Sequence, residues 1–472
     1  MGLDREVSRF LEDPTAYFGF SGPAALRMPV KDLEALQLAA LRQRFAEMRQ
    51  AITVLKTMSD EQGLAEIVQL DDVVPVLFAH TVYKSYPVSL LEKSRFDQLT
   101  RWLNKLSATD LSSVPIAACN SIDSWMDTLS AHTDLVPVHS SGTSGTISFL
   151  PRTNSDWEKF FRAIRMALFE FGDPAGTRNH DDEYFDVIWP SFRSGRSTHY
   201  RAANYQMRFL AGSEERFHAM NPHDVSADVM WLAGRIRNAA ARGELHTIDV
   251  SPQLRARRDE FEAVQRSLQD GMSTFLGDMV ETLKGKRILM LGTSNIHYQM
   301  ARMGLDRGQS GVFAPDSVII SGGGGKGIVL PDDWIDSVRK FIGVDRILYT
   351  YGMSEMLAIN LCCEHDRIHF YPWIIPFLLD PDSGELLPRL GERTGRFAFV
   401  DLMTTSMWGG FVTGDEVSVD WSPCPCGRTT PHASKTIGRF SEKRGGDDKI
   451  SCAAQPEAHE AALDFLLADG SP

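Results

Sequence analysis

Apolar residues recur at helical spacing between positions 31 and 58, at Leu33, Leu36, Leu41, Phe45, Met48, Ile52 and Leu55, and the pattern predicts one amphipathic helix. The first 130 residues read as mainly helical. The pattern changes at LVPVHSSGTSGTISFLP, where a short β-prone run opens into a loop of serine, glycine and threonine, and a second helical pattern begins at Asn154. From there strands and helices alternate: YFDVIWP, a helix near 226–241, a long helix near 252–284, RILMLGTS, SVIISGGG, a helix near 332–341 and DRILYTYG. Such alternation predicts an α/β layer architecture with mostly parallel strands flanked by helices. After about 394 the runs RFAFVDLMT and EVSVDW read as β-rich, and the tail carries one short amphipathic helix, PEAHEAALDFLLAD. The expected organisation is a mainly helical part over 1–130, an α/β core over 131–393, a β-rich subdomain over 394–439 and a short remnant over 440–472.

Four segments carry candidate chemistry. Ser140, Ser141, Gly142, Thr143, Ser144, Gly145 and Thr146 form a loop whose glycines turn backbone N–H groups towards an anion and whose hydroxyls can bond phosphate oxygens. It is not a Walker A loop, since GxxxxGK[ST] is absent. SGGGGKG follows the apolar run SVII, so Gly322, Gly323 and Gly324 open a strand end where a flat ring or a phosphate can approach the backbone. In LYTYGMSEM, Tyr351, Gly352, Ser354 and Glu355 follow another strand, a position where a carboxylate can hold Mg2+ and an aromatic can stack on a base. FVTGDEVSVD sets Asp415 after a Thr-Gly turn, where a carboxylate can accept hydrogen bonds from ribose hydroxyls.

Composition narrows the partners. The 472 residues carry a net charge of −13 with no Lys/Arg block, which argues against nucleic acid and an anionic membrane as partners. The N-terminal MGLDREVSRFLEDP lacks a basic stretch running into an apolar one, Glu6 breaks the myristoylation pattern, and no long apolar run occurs, so a cytoplasmic protein is expected. Six cysteines are too few for a disulfide scaffold, yet five follow residue 360. Cys363, His369, Cys424 and Cys426 together make a Cys3His set suited to a closed structural zinc site, with Cys362, His365 and His432 as alternative ligands and reduced, partly buried thiols as the simpler reading.

The order of the four segments resembles the adenylate-forming superfamily of acyl-CoA synthetases, luciferases and peptide-synthetase adenylation domains. SSGTSG resembles its phosphate loop, SGGGGKG its adenine-side strand end, YGMSE its YGxTE motif and TGD its ribose-binding motif. CPCGRTTPH followed by Gly438 and Arg439 is similar to the CxCGRT segment and hinge arginine of phenylacetate-CoA ligases, a likeness shared with luciferase-associated acyl-protein synthetases. Some of those ligases also show a Cys/His pair and a CxC at corresponding places. The resemblance spans roughly residues 75–450 and implies a large adenylate-forming N-terminal domain of mostly parallel sheets plus a β-rich subdomain.

It further implies that residues 140–146 hold the ATP triphosphate, that Gly322 to Gly324 and Tyr351 line the adenine and acyl pocket, and that Ser354 and Glu355 hold phosphate and Mg2+. Asp415 would bind ribose and Arg439 would close on the nucleotide. His139, beside the loop, and His297 are candidates for orienting the acid or neutralising the adenylate, with a structural hydrogen-bonding role as the other reading.

The chain also departs from the pattern. No basic residue closely follows the second loop glycine; Arg152 is the first, and Lys326 is a possible substitute. Only 33 residues follow Arg439, so the C-terminal lid domain is expected to be truncated or absent, with Lys443 or Lys449 standing in for its lysine. Cys452 could receive an acyl group, as in acyl-protein synthetases.

The implied activity is ATP- and Mg2+-dependent formation of an acyl-AMP from a small carboxylic acid, then transfer to the thiol of CoA or of a carrier protein. An amine acceptor, or a lapsed nucleotide-binding protein, are the alternatives. Trp157, Trp189, Phe192 and Tyr298 are candidate acyl-pocket residues, with a core role as the alternative.

Overall fold

A computed structural model describes residues 2–140, 146–172, 183–248, 250, 252–268, 271–322 and 329–440. The helical pattern at 31–58 forms two helices, Val30–Ala51 and Thr53–Glu61, because Ile52 takes an extended backbone (φ −107°, ψ 110°) that buries its side chain completely. The whole apolar stripe from Leu33 to Leu55 is buried. The long helix expected near 252–284 is three: Pro252–Ala256, Arg258–Leu268 and Gly271–Leu283. Its first break falls at Arg257, whose guanidinium bonds Asp123 at 2.9 Å and Glu260 at 2.8 Å.

The strands run β1 Phe78–Ala79, β2 Val138–His139, β3 Phe149–Leu150, β4 Asp186–Gly195, β5 Phe217–Val225, β6 Ile288–Thr293, β7 Val318–Gly322, β8 Leu348–Tyr351 and β9 Asn360–Leu361. They continue as β10 Arg367–His369, β11 Ile374–Leu379, β12 Glu392–Asp401, β13 Gly410–Asp420, β14 His432–Ser434 and β15 Gly438–Arg439. One sheet has the order β5-β4-β6-β7-β8-β9, parallel except for the β8–β9 pair. Its side chains alternate between two cores, as the two-residue period of a strand dictates. Ile188, Ile288, Met290 and Ile319 pack with Leu276, Met300 and Phe341 of three covering helices, whereas Leu289, Val318 and Ile320 join the larger core with Ile164 and Phe171. Both faces are thus covered, as a parallel sheet requires.

The second sheet, β10-β14-β13-β12-β11, is antiparallel, with β1 added parallel to β13 and β15 antiparallel to it. A mostly parallel sheet flanked by helices with a β-rich part beside it is the architecture expected from the sequence. The antiparallel sheet takes its strands from Arg367 onwards and adds β1, Phe78–Ala79. Among the described residues no helix is long and apolar enough to cross a membrane.

Asp156 fastens the two layers together. Fully buried in the first turn of the helix Asn154–Gly172, its carboxylate accepts from Thr405 N (3.0 Å), Thr405 Oγ1 (2.8 Å) and Ser406 Oγ (2.5 Å) in the β12–β13 connection. D156A leaves these donors without an acceptor in a dry interface, and should cost about 3 kcal/mol or more in urea unfolding.

Candidate active site

The described parts of the motif segments lie about the C-terminal ends of β7 and β8, where open α/β sheets bind ligands: Gly322 ends β7, and Tyr351 ends β8 and reaches Asp415. The loop 140–146 is carried by the β2–β3 hairpin, which pairs Val138 with Leu150 and His139 with Phe149. Ser140 closes the hairpin by donating its N–H to the Ser148 carbonyl (3.0 Å) and accepting the Ser148 N–H on Oγ (2.9 Å). A parallel bridge from His139 to Ser197 docks its base just past β4. The Tyr86 hydroxyl holds the loop's exit by donating to the Ile147 carbonyl at 2.8 Å. Thr146 is half-buried; Ser141, Gly142, Thr143, Ser144 and Gly145 lie outside the described residues.

At the end of β7, Gly322 lies so near β8 that a Cβ there would stand 2.6 Å from Thr350 Cγ2, so packing alone requires glycine. Gly323, Gly324 and Lys326 lie outside the described residues. At the end of β8 the Tyr351 hydroxyl donates to Asp415 Oδ2 at 2.8 Å, joining the two sheets. The Tyr351 ring is buried edge-on against Phe397, 5.6 Å between centroids, so it supports Asp415 more than it offers a stacking face. Burial and the neighbouring Asp415 hold its phenol protonated, well above the usual range. The β13–β15 register sets Arg439 opposite Asp415, with Nε 3.8 Å from Oδ1.

Gly352 is exposed, and Ser354 and Glu355 are partly exposed. Burial raises the Glu355 carboxyl above its usual range; Arg152 and Lys84 oppose the rise, and Asp415 adds to it. Sequence reasoning missed how this neighbourhood is built. Pairing of Phe78 and Ala79 with Phe411 and Val412 brings the segment that continues to Lys84 alongside β13, which carries Asp415 and has no Thr-Gly turn, a contact that a two-residue strand gives no periodic signal for. Trp157, Trp189 and Phe192 are buried core residues, and Tyr298 is half-buried.

His139 is fully enclosed: Nδ1 donates to the Ser140 carbonyl at 2.8 Å, and burial lowers its pKa to about 4. It is therefore a neutral part of the hairpin base. His297, at the start of the helix that follows β6, is equally buried, with no hydrogen-bond partner on either ring nitrogen among the described residues and a pKa lowered by burial to about 4. Between that value and the unfolded value of 6.5 the unfolded chain binds the proton and the folded chain does not. Stability contributed by His297 is thus intact above pH 6.5 and falls by about 1.4 kcal/mol per unit as pH drops towards 4. Removal of this proton site in H297F should make the fall of unfolding free energy between pH 6.5 and 4 shallower than in wild type, as denaturant titrations at several pH values would show.

A second cluster lies at the edge of the antiparallel sheet. One ligating atom each from Cys363, His369, Cys424 and Cys426 falls within 4.8 Å of all the others. Cys363 Sγ and Cys424 Sγ are 3.9 Å apart, and Cys426 Sγ is 3.3 Å from His369 Nε2. A tetrahedron with Zn–S bonds of about 2.3 Å has an edge of about 3.8 Å, so the spacing fits zinc. The Cys424–Cys426 turn is closed by Gly427 at φ +83°, a left-handed conformation that favours glycine, and N–H groups of His365 and Arg367 donate to the Cys363 sulfur. Burial raises the Cys363 thiol and pushes Cys424 up to about 12, while contacts from Arg428 bring Cys426 below its usual value despite burial. The alternative ligands Cys362, His365 and His432 fall outside the four-atom set.

A partly open cavity of ≈ 610 Å³ beside Phe96, Asp228, Trp231 and Arg235 is lined by none of these motif residues.

No protein-family model matches the sequence, and no curated protein matches it. In structure the chain is similar to 2-hydroxyisobutyryl-CoA ligase, solved in an open conformation with 2-HIB-AMP and CoA, at 13% identity and a TM-score of 0.47 over 88% of this chain and 72% of that one. It is also similar to ATP-bound MatB from Rhodopseudomonas palustris, at 14% identity and a TM-score of 0.35 over 67% of this chain and 52% of that one.

Proposed function

We propose that the protein is an ATP-dependent ligase that converts a small carboxylic acid to an acyl-AMP and passes the acyl group to a thiol, of CoA or of a carrier protein. The observation that carries this reading is the Tyr351–Asp415 hydrogen bond, which sets the Glu355 segment, the ribose-type carboxylate and Arg439 around one point. In the first step a substrate carboxylate oxygen attacks the α-phosphorus of ATP and pyrophosphate leaves. The demand is in-line positioning and neutralisation of phosphate charge rather than a protein nucleophile.

The segment from Ser140 to Thr146 would donate hydrogen bonds to phosphate oxygens through its hydroxyls and backbone N–H groups. Asp415, with Oδ2 held by Tyr351, turns Oδ1 towards Arg439 and is suited to accept from ribose hydroxyls. Glu355, with the Ser354 hydroxyl beside it, would hold Mg2+, which supplies charge neutralisation on the phosphates when bound. His139 holds the base of the loop through Ser140 and acts by positioning. Zinc at Cys363, His369, Cys424 and Cys426 would be structural, since four protein ligands leave no open position. Cys452, Lys443 and Lys449 lie outside the described residues.

The test is ATP/pyrophosphate exchange with Mg2+ across aromatic, short-chain and long-chain acids. Acid-dependent exchange is expected for one class. Binding of ATP without exchange for any acid would overturn the reading in favour of a protein that holds nucleotide without turnover.

A further inference from the structure

Arg152 is among the largest fully buried side chains in the protein, 1% exposed. Enclosing a guanidinium is costly unless its hydrogen bonds and charge are used. Among the described residues no carboxylate lies within ion-pair distance of it, and its two bonds go elsewhere. Nη1 donates to Thr404 Oγ1 at 3.0 Å and Nη2 donates to the Ser354 carbonyl at 2.9 Å. Its own backbone belongs to the hairpin: Arg152 N donates to the Leu150 carbonyl (3.0 Å), and its carbonyl accepts from Val136 N (2.7 Å).

We propose that Arg152 is a positioning residue that ties the β2–β3 hairpin to the cation-holding segment 354–357, so that Glu355 is set in place relative to the hairpin. The segment is fixed at both ends. Ser354 hangs from Arg152, and Leu357 N donates to Asp401 Oδ2 at 2.6 Å. Asp401 and Thr404 lie on one short connection, which Asp401 itself stiffens by accepting Met403 N at 2.9 Å. Glu355 therefore sits in a frame with one side on the hairpin strand and the other on the end of β12. The guanidinium also places a fixed positive charge near Glu355 and Asp401, easing the enclosure of both carboxylates. The first basic residue after the loop thus acts from beneath, through Ser354 and Glu355.

This inference rests on Glu355 holding the metal in an adenylation site, and the experiment separates the two. Exchange by wild type tests the reading; the metal dependence of Arg152 variants tests the inference. With acid and ATP fixed and Mg2+ varied, R152M is expected to raise the Mg2+ concentration for half-maximal exchange by about tenfold, the size of effect expected for losing hydrogen bonds from a charged group. The KM for the acid should stay within about twofold, since Arg152 does not face it, and R152K should recover much of the metal affinity.

A folded R152M with the wild-type metal requirement, or with metal and acid constants changed alike, overturns the proposal. If R152M does not fold, T404V decides, because it removes only the Nη1 anchor and keeps the charge. A selective rise in the metal requirement supports the tie, and an unchanged one overturns it. Absence of exchange in wild type overturns the adenylation reading and this inference with it.

Discussion

E355Q is expected to lower acid-dependent ATP/pyrophosphate exchange by about 10²- to 10³-fold while leaving the protein as stable as wild type or slightly more so. The two halves of this expectation share one cause. Burial raises the Glu355 carboxyl, so holding it ionised opposes folding, and a neutral amide of the same shape removes that opposition. A residue whose ionised form is unfavourable in the empty fold is suited to gain a cation as partner. D415A should act differently. Its main effect should be a rise of about a hundredfold in KM for ATP, because a ribose contact serves ground state and transition state alike. It also strips the buried Tyr351 hydroxyl of its acceptor, so some loss of stability should accompany it. D415N, which keeps an oxygen for Tyr351, separates the two contributions. Exchange rates with Mg2+ varied at fixed ATP and with ATP varied at fixed Mg2+, beside thermal unfolding of each variant, check the pattern. Full exchange by E355Q would remove Glu355 from the metal site.

The segments that the fold brings together were legible because each couples an apolar run to a glycine, and both signals are local. SVIISG and LYTYG each end a parallel strand, whereas the Thr-Gly turn expected at FVTGD lies within the continuous strand β13, where the pairing with β12 shifts register. What the sequence left hidden is non-local. IIPFLL reads as a buried strand under either pairing, and only its antiparallel register with Phe397 to Asp401 assigns it to the second sheet. The pairing of Phe78 and Ala79 with Phe411 and Val412 joins positions more than three hundred residues apart through two residues, too few for any period. Arg152 shows the same limit at the site. The sequence marks it only as the first basic residue after the loop, and nothing local shows that the hairpin turns it inward to Ser354 and Thr404. The break at Ile52 is a tertiary effect too, since the helical pattern continues through it and only burial of Ile52 distinguishes the bend.

Substitution of Cys426 or Cys424 by serine is expected to release one equivalent of zinc per chain and to destabilise the fold by about 4 kcal/mol or more, the range seen when a closed metal site is lost. The reason lies in what the cluster joins. Cys363 precedes β10 and His369 is its last residue, and Cys424 and Cys426 lie in the connection between β13 and β14, so one ion would staple the edge where β10 pairs with β14. That pairing is only three residues long, from Arg367 opposite Ser434 to His369 opposite His432, and short edge pairing is weak without a cross-link. Without the ion, three thiols and an imidazole would be packed together in a buried corner with few other partners. The effect should also reach the nucleotide. Strand β13 carries Asp415 on its way to Cys424, so loosening its far end should raise KM for ATP several-fold while leaving the acid's KM unchanged. Metal content by atomic emission, X-ray absorption for three sulfurs and one nitrogen at the metal, and thermal unfolding of C424S, C426S and H369A form the test, with C119S and C362S as controls that should keep the zinc. Protein prepared without chelator that holds no stoichiometric zinc, together with an unchanged melting temperature in C426S, would leave the four residues as reduced thiols and a histidine in ordinary packing.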